Sequence, residues 1–162
     1  MSNETTDSKV PCEGNERMSG QEIFNKVWDW FVVQGNPRSV NEEGDCNYRG
    51  PNNSRCAVGL LISDACYRPS MEGHTARTLS DEYPQIIEAI APTDLTEGVK
   101  FLMGLQACHD NSSSYVSTAQ RLRAFAETWS LSVPNSEEDF STSPEPQVSS
   151  DHGSVTPEGE GL

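Results

Sequence analysis

Apolar residues at helical or strand spacing begin near Ile23 and stop near Val133, so everything that can build a core lies within residues 19–134. The flanks differ in kind. Residues 1–18 are polar with no apolar period, and residues 135–162 are rich in Ser, Pro, Glu and Gly with a single aromatic, Phe140. Neither flank buries enough apolar surface to offset its ordering entropy. The expectation is one folded domain at 19–134, a disordered N-terminal segment at 1–18 and a disordered acidic tail at 135–162.

Charge follows the same boundaries. The tail carries seven acids (Glu137, Glu138, Asp139, Glu145, Asp151, Glu158, Glu160) and no Lys or Arg, which is half of the formal net charge of −14. An acidic chain without a basic run lacks the cations that neutralise phosphates, so duplex nucleic acid is not an expected partner. No stretch has the roughly 18 apolar residues that span a bilayer, and the start "MSNETTDSKV" has no signal-peptide pattern. A cytoplasmic protein with no membrane partner is expected. Cys12, Cys46, Cys56, Cys66 and Cys108 are odd in number and without secretory context, so free thiols are the default.

The clearest element opens at "SGQE", where Ser19 and Glu22 have the spacing of a capping box. Ile23, Phe24, Val27, Trp28 and Phe31 then form one apolar face, closed by Gly35 and Pro37. Further on, "CNYRG" (46–50), the turn formers "PNNS" and the apolar "RCAVGLLI" read as a β-hairpin. A helix through "RCAVGLLISDACY" is the rival, because a short apolar run does not declare its period. Three more helices are expected: one from Ser80 ending near Pro92, one from Thr93 to about Asn111, and one over 114–130 with Val116, Ala119, Leu122, Phe125, Ala126 and Trp129 inward. Four helices around a small hairpin make a mainly helical α+β domain.

Several kinds of chemistry fit poorly. Structural zinc sites present close pairs such as C-x2-C, whereas the cysteines here are separated by nine residues or stand beside His109. Neighbours on a helix point about 100° apart and rarely share an ion. The dipeptide His109-Asp110 is similar to part of the ligand set of metal-dependent phosphohydrolases, but the rest of that set is missing. No Gly-rich phosphate loop, G-x-S-x-G or H-E-x-x-H is present. Neither a metal nor any other cofactor is expected, and no catalytic residue is assigned.

What remains is a set of polar residues among apolar neighbours. Tyr48, Arg49, Asp64, Tyr67, Glu72, Gln106 and His109 are the candidate ligand-binding residues, with Arg55, Arg68 and Asp110 nearby in sequence. Arginines suit an anionic group, tyrosines stack on a flat ring, and carboxylates fix polar edges. The alternative is an internal network in which these groups satisfy one another.

Four blocks carry a resemblance: "CNYRG" at 46–50, "CAVGLLISD" at 56–64, "YRPSMEG" at 67–73 and "LQACHD" at 105–110. Together they resemble a family of small uncharacterised proteins of phages and bacteria, patterned C-x-Y-R-G, C-A-x-G-x-L-I-x-D, Y-x-P-x-x-E-G and L-Q-x-x-H-D. The resemblance covers about residues 20–131 and misses both tails. Such proteins often have Pro where this chain has Ser63, which leaves the turn before Asp64 less rigid. It implies a phage or bacterial origin and brings no established activity.

Three functional expectations follow. The first is a non-enzymatic module that binds a small, polar, nucleotide-like ligand, sequestering a host signal and so blunting defence. The second is a protein-binding inhibitor or adaptor using the acidic tail or a helical surface. The third is a metal-dependent hydrolase using His109 and Asp110. Oligomeric state is left open.

Overall fold

The structure, a computed structural model, describes Cys12 and residues 14–134. The expected disordered tail and most of the expected N-terminal segment lie outside those residues.

Helix α1 (Gly20–Trp28) starts as its sequence dictates: the Ser19 hydroxyl accepts from the Glu22 backbone N–H at 3.3 Å, and the Glu22 carboxylate accepts from the Ser19 backbone N–H at 2.7 Å. A π-helical turn, Asp29–Val33, continues it. Ile23, Phe24, Val27, Trp28 and Phe31 are all buried, so the expected apolar face is the face that packs.

The fold class differs from expectation. Among the described residues there is no β-strand; antiparallel pairing is limited to isolated bridges at Val40–Cys46 and Arg49–Arg55. The second bridge closes the "PNNS" turn, with Asn52 and Asn53 both at positive φ. The turn is therefore present, but the hairpin does not extend. Its second arm is a short helix, α2 (Ala57–Leu61), whose five residues are all buried. Burial on every side removes the polar-apolar alternation that separates a strand from a helix. The Cys56 thiol tips the balance locally by accepting from the Gly59 N–H at 3.2 Å, where a Ser or Asp N-cap would act.

The remaining helices are α3 (Ala76–Glu82), α4 (Pro84–Ile90), α5 (Gly98–Asp110) and α6 (Tyr115–Trp129). The expected helix at Ser80 is in fact two. Thr75 caps α3, and Pro84 opens α4 at a first-turn position where its missing N–H is no loss. Helix α5 begins at Gly98 rather than Thr93, and the Asp94 carboxylate ahead of it accepts from the Gly20 N–H of α1 at 2.7 Å. On α6 the inward face is as expected except for Val116, which is 59% exposed.

Helices α1, α5 and α6 share an aromatic core. Phe101 meets Phe125 and Trp129 edge-on at 5.0 and 5.1 Å, and Phe24 stacks on Phe125 at 6.3 Å. Helix α2 packs on α1 and α5, and α3 on α4 and α5. The expectation of free thiols fails for Cys12 and Cys66, which form a disulfide with Cα atoms 5.4 Å apart. Cys46, Cys56 and Cys108 carry free thiols. Among the described residues no helix is long and apolar enough to cross a membrane.

Candidate functional site

The seven candidate residues gather into two clusters, one bonded to the last carbonyls of α2 through Arg49 and the other to its Val58 N–H through Gln106. The first is centred on Glu72, just after a 3-10 turn at Pro69–Met71. Its carboxylate accepts the backbone N–H groups of Tyr48 and Arg49, both at 2.9 Å, and the Tyr67 hydroxyl at 2.8 Å. One side chain thus fixes three others. The buried Tyr48 hydroxyl donates to the His74 carbonyl.

Arg49 is spent on α2. A short helix leaves its last carbonyls unpaired, and here the guanidinium donates to the carbonyls of Gly59 and Ile62, the latter at 2.6 Å. The same side chain lies 4.9 Å from the Tyr67 ring centroid, a cation–π distance. Burial, with Arg55 nearby, holds the Arg49 pKa below its usual value. Burial together with the Glu72 bond pushes the Tyr67 phenol up to about 12. Asp64 bridges Arg49 and Arg55 at 3.0 and 3.1 Å, but its side chain is 79% exposed, so these pairs add little stability. The Arg49 guanidinium and the Glu72 carboxylate, which would greet a ligand, are already engaged with the protein.

Glycine is required where this cluster meets α2. A Cβ on Gly59 would sit 2.8 Å from both the Cα and the carbonyl carbon of Tyr48. The "CNYRG" segment therefore lies directly against the helix that follows it.

The second cluster joins Gln106 and His109 of α5 to Cys46 and Asp110. His109 is buried, and its Nε2 accepts the Ser39 backbone N–H at 3.2 Å. That bond assigns the ring proton to Nδ1, which donates to Asp110 Oδ1 at 2.9 Å and lies 3.7 Å from Cys46 Sγ. Gln106 donates from Nε2 to Cys46 Sγ at 2.8 Å and to Asp110 at 3.1 Å, and its Oε1 accepts the Val58 N–H at 3.3 Å. A hydrogen bond that the Cys46 thiol donates to Cys56, with burial, pushes its pKa far up, so it stays protonated. Burial alone would raise Asp110 and lower His109, but their mutual hydrogen bond and the Cys46 contact outweigh it, leaving Asp110 lowered and His109 raised.

This arrangement limits the chemistry. A thiol–histidine nucleophile needs one ring nitrogen to take the thiol proton while a carboxylate holds the other. Here thiol and carboxylate share Nδ1, and Nε2 is closed by a backbone donor. Ligand atoms of Cys46, His109 and Asp110 do lie within 4.8 Å of one another, close enough to surround an ion. An ion on Nδ1 would move the ring proton to Nε2, where it would face the Ser39 N–H, donor against donor. The set is better matched to a proton than to a metal.

Cys46 and Ser39 were missed from sequence. Cys46 reaches His109 across 63 residues, and no local spacing announces that meeting. Asp110 had a signal, the i, i+4 relation to Gln106 on one helix.

Hollows also indent the surface. One of about 290 Å³ is bordered by the 14–18 segment, the end of α2, Lys26, Arg55, Ser63 and Asp64. Of the seven candidates, Asp64 is the one that borders it. Another, of about 400 Å³, runs between α5 and α6, where Gly104 brings the helices close beside Phe125 and Trp129. Comparison with models of protein families, with curated proteins and with solved structures finds no match for this chain.

Proposed function

We propose that this protein is a non-enzymatic binding module for a small, polar, nucleotide-like ligand, seated at the hollow beside Asp64. One observation carries the reading: this hollow is bordered by polar groups of both signs, Asn15, Lys26, Arg55, Ser63 and Asp64, at the low end of ligand-site volume. Lys26 and Arg55 suit an anionic group, and the exposed Asp64 carboxylate suits the edges of a base or sugar. The Glu72 and His109 clusters then serve as the rigid frame behind it. With the phage or bacterial origin implied by the four sequence blocks, sequestration of a host signalling nucleotide is the role this reading assigns.

Calorimetry against a panel of cyclic, linear and ADP-ribose-type nucleotides tests the proposal. Binding that weakens at least tenfold in Arg55→Ala and Lys26→Ala is the expected result. No heat at high-micromolar ligand would reject the nucleotide reading. A cytoplasmic setting sits uneasily with the disulfide, since cytosolic thiols are kept reduced. Mass analysis of rapidly alkylated cells would show which form is present.

A further inference from the structure

The disulfide and the hollow share a wall. Cys66 lies two residues beyond Asp64, and Cys12 lies two residues before Gly14, the first residue bordering the hollow. The segment between Cys12 and Met18 carries Asn15, whose side chain donates to the Leu61 carbonyl at 2.8 Å and accepts the Ser63 N–H at 2.9 Å. Beyond Met18 the chain is secured again, by the Thr93 N–H donating to the Met18 carbonyl at 2.9 Å. So one wall of the hollow is a short strap, held across the end of α2 by a covalent bond and an amide side chain.

We propose that the Cys12–Cys66 disulfide is a redox latch on this strap, closing the wall of the hollow when oxidised and releasing it when reduced. The inference rests on the hollow being the binding site. Two part-buried neutral hydrogen bonds do not by themselves offset the conformational freedom that the 14–18 segment regains once untied. With the bond intact, Asn15 is delivered to Leu61 and Ser63 as an intramolecular partner at high effective concentration.

The geometry also indicates how the latch is opened. Cys12 is half-buried and borders a second hollow with Asn15, Arg17 and Glu88, whereas Cys66 is 5% exposed. An attacking thiolate therefore reaches Cys12 first, forming a mixed disulfide and expelling Cys66 as thiolate. The Ser63 hydroxyl, donating to Cys66 Sγ at 3.0 Å, is placed to stabilise that leaving group. The reductant's second thiol then attacks its own sulfur in the mixed disulfide and releases Cys12. Two protein thiols form, and the dithiol is oxidised to a disulfide.

Hydrogen exchange on the full chain, oxidised and after treatment with dithiothreitol, tests the latch without any ligand. Exchange at 14–18 and 61–63 should rise at least tenfold on reduction, and trypsin should cut after the exposed Arg17 correspondingly faster, while the buried amides of α5 and α6 keep their protection. Cys12→Ser should match the reduced wild type and ignore dithiothreitol. Equal exchange at these segments in both redox forms would overturn the latch. The nucleotide panel, run on both forms, separates the two proposals. An affinity difference of tenfold or more supports the latch as a gate, and equal affinity in both forms overturns it. Altered exchange with no binding by either form rejects the ligand reading while supporting release of the strap.

Discussion

Replacing Glu72 separates a structural hub from a side chain that waits for a ligand. In Glu72→Ala, the N–H groups of Tyr48 and Arg49 and the Tyr67 hydroxyl, now bonded at 2.8 to 2.9 Å, all lose their acceptor. Bonds to a charged acceptor contribute about 1.5–3 kcal/mol each, but losses within one network do not add and water enters part of the gap, so a cost of about 3–5 kcal/mol is expected. Glu72→Gln is the sharper test. Its amide nitrogen must replace either Oε1 or Oε2, and the less damaging choice leaves the Tyr48 N–H facing a donor. One orphaned bond and the lost charge together cost about 1.5–3 kcal/mol. Urea unfolding at constant slope measures both values, with the exposed Glu88→Gln as a control expected within about 0.5 kcal/mol of wild type. A Glu72→Gln variant as stable as that control would refute the hub, and with it the view that this cluster is a frame.

Gly59→Ala should be among the most damaging single-methyl additions in the chain. The new Cβ meets Tyr48 backbone rather than a side chain that can turn away, so either α2 or the 46–50 segment must shift. A loss of about 2–3 kcal/mol is expected by the same denaturation assay, and a loss under about 0.5 kcal/mol would contradict the close approach. His74 gives the pH dependence. Burial pulls its pKa down, but bonds to the Glu72 carbonyl and to Glu82 at 2.9 Å leave it raised overall. A raised folded-state pKa means its stabilisation is complete below the unfolded value near 6.5 and disappears as pH rises through the folded value. The Tm deficit of Glu82→Gln should therefore be larger at pH 5.5 than at pH 8.5, and a deficit independent of pH would rule the ion pair out.

Sequence reading succeeded where a single local rule sufficed. The capping box at Ser19 and Glu22 and the apolar face that follows needed no tertiary information, and both are present in α1. It failed at 57–61, because a segment buried on all sides shows no period, and a cysteine N-cap is not a recognised start signal. The expected helix at Ser80 failed for a different reason. Thr75 and Pro84 are both ordinary helix openers, and each was passed over in favour of one longer run. The polar set at Tyr48, Arg49, Tyr67 and Glu72 could be nominated because polar groups among apolar neighbours must find partners. Whether those partners were ligand or protein depended on the Gly59 and Ile62 carbonyls, which carry no sequence signature. The strap at 14–18 carries no sequence signal, because Cys12 and Cys66 are 54 residues apart and nothing local joins them.

Helix α2 also bears on the order in which the molecule assembles. Five residues are too few to cross the nucleation barrier of helix formation, so α2 has no independent existence in the unfolded chain. Its hydrogen bonds close only when Arg49 arrives from ten residues upstream and α5 from some fifty downstream. The contact of that longer span, the Val58 N–H to Gln106 on α5, is made late, so removing it should accelerate unfolding far more than it slows folding. Helix α2 would then set how long the native state lasts, rather than how quickly it is reached.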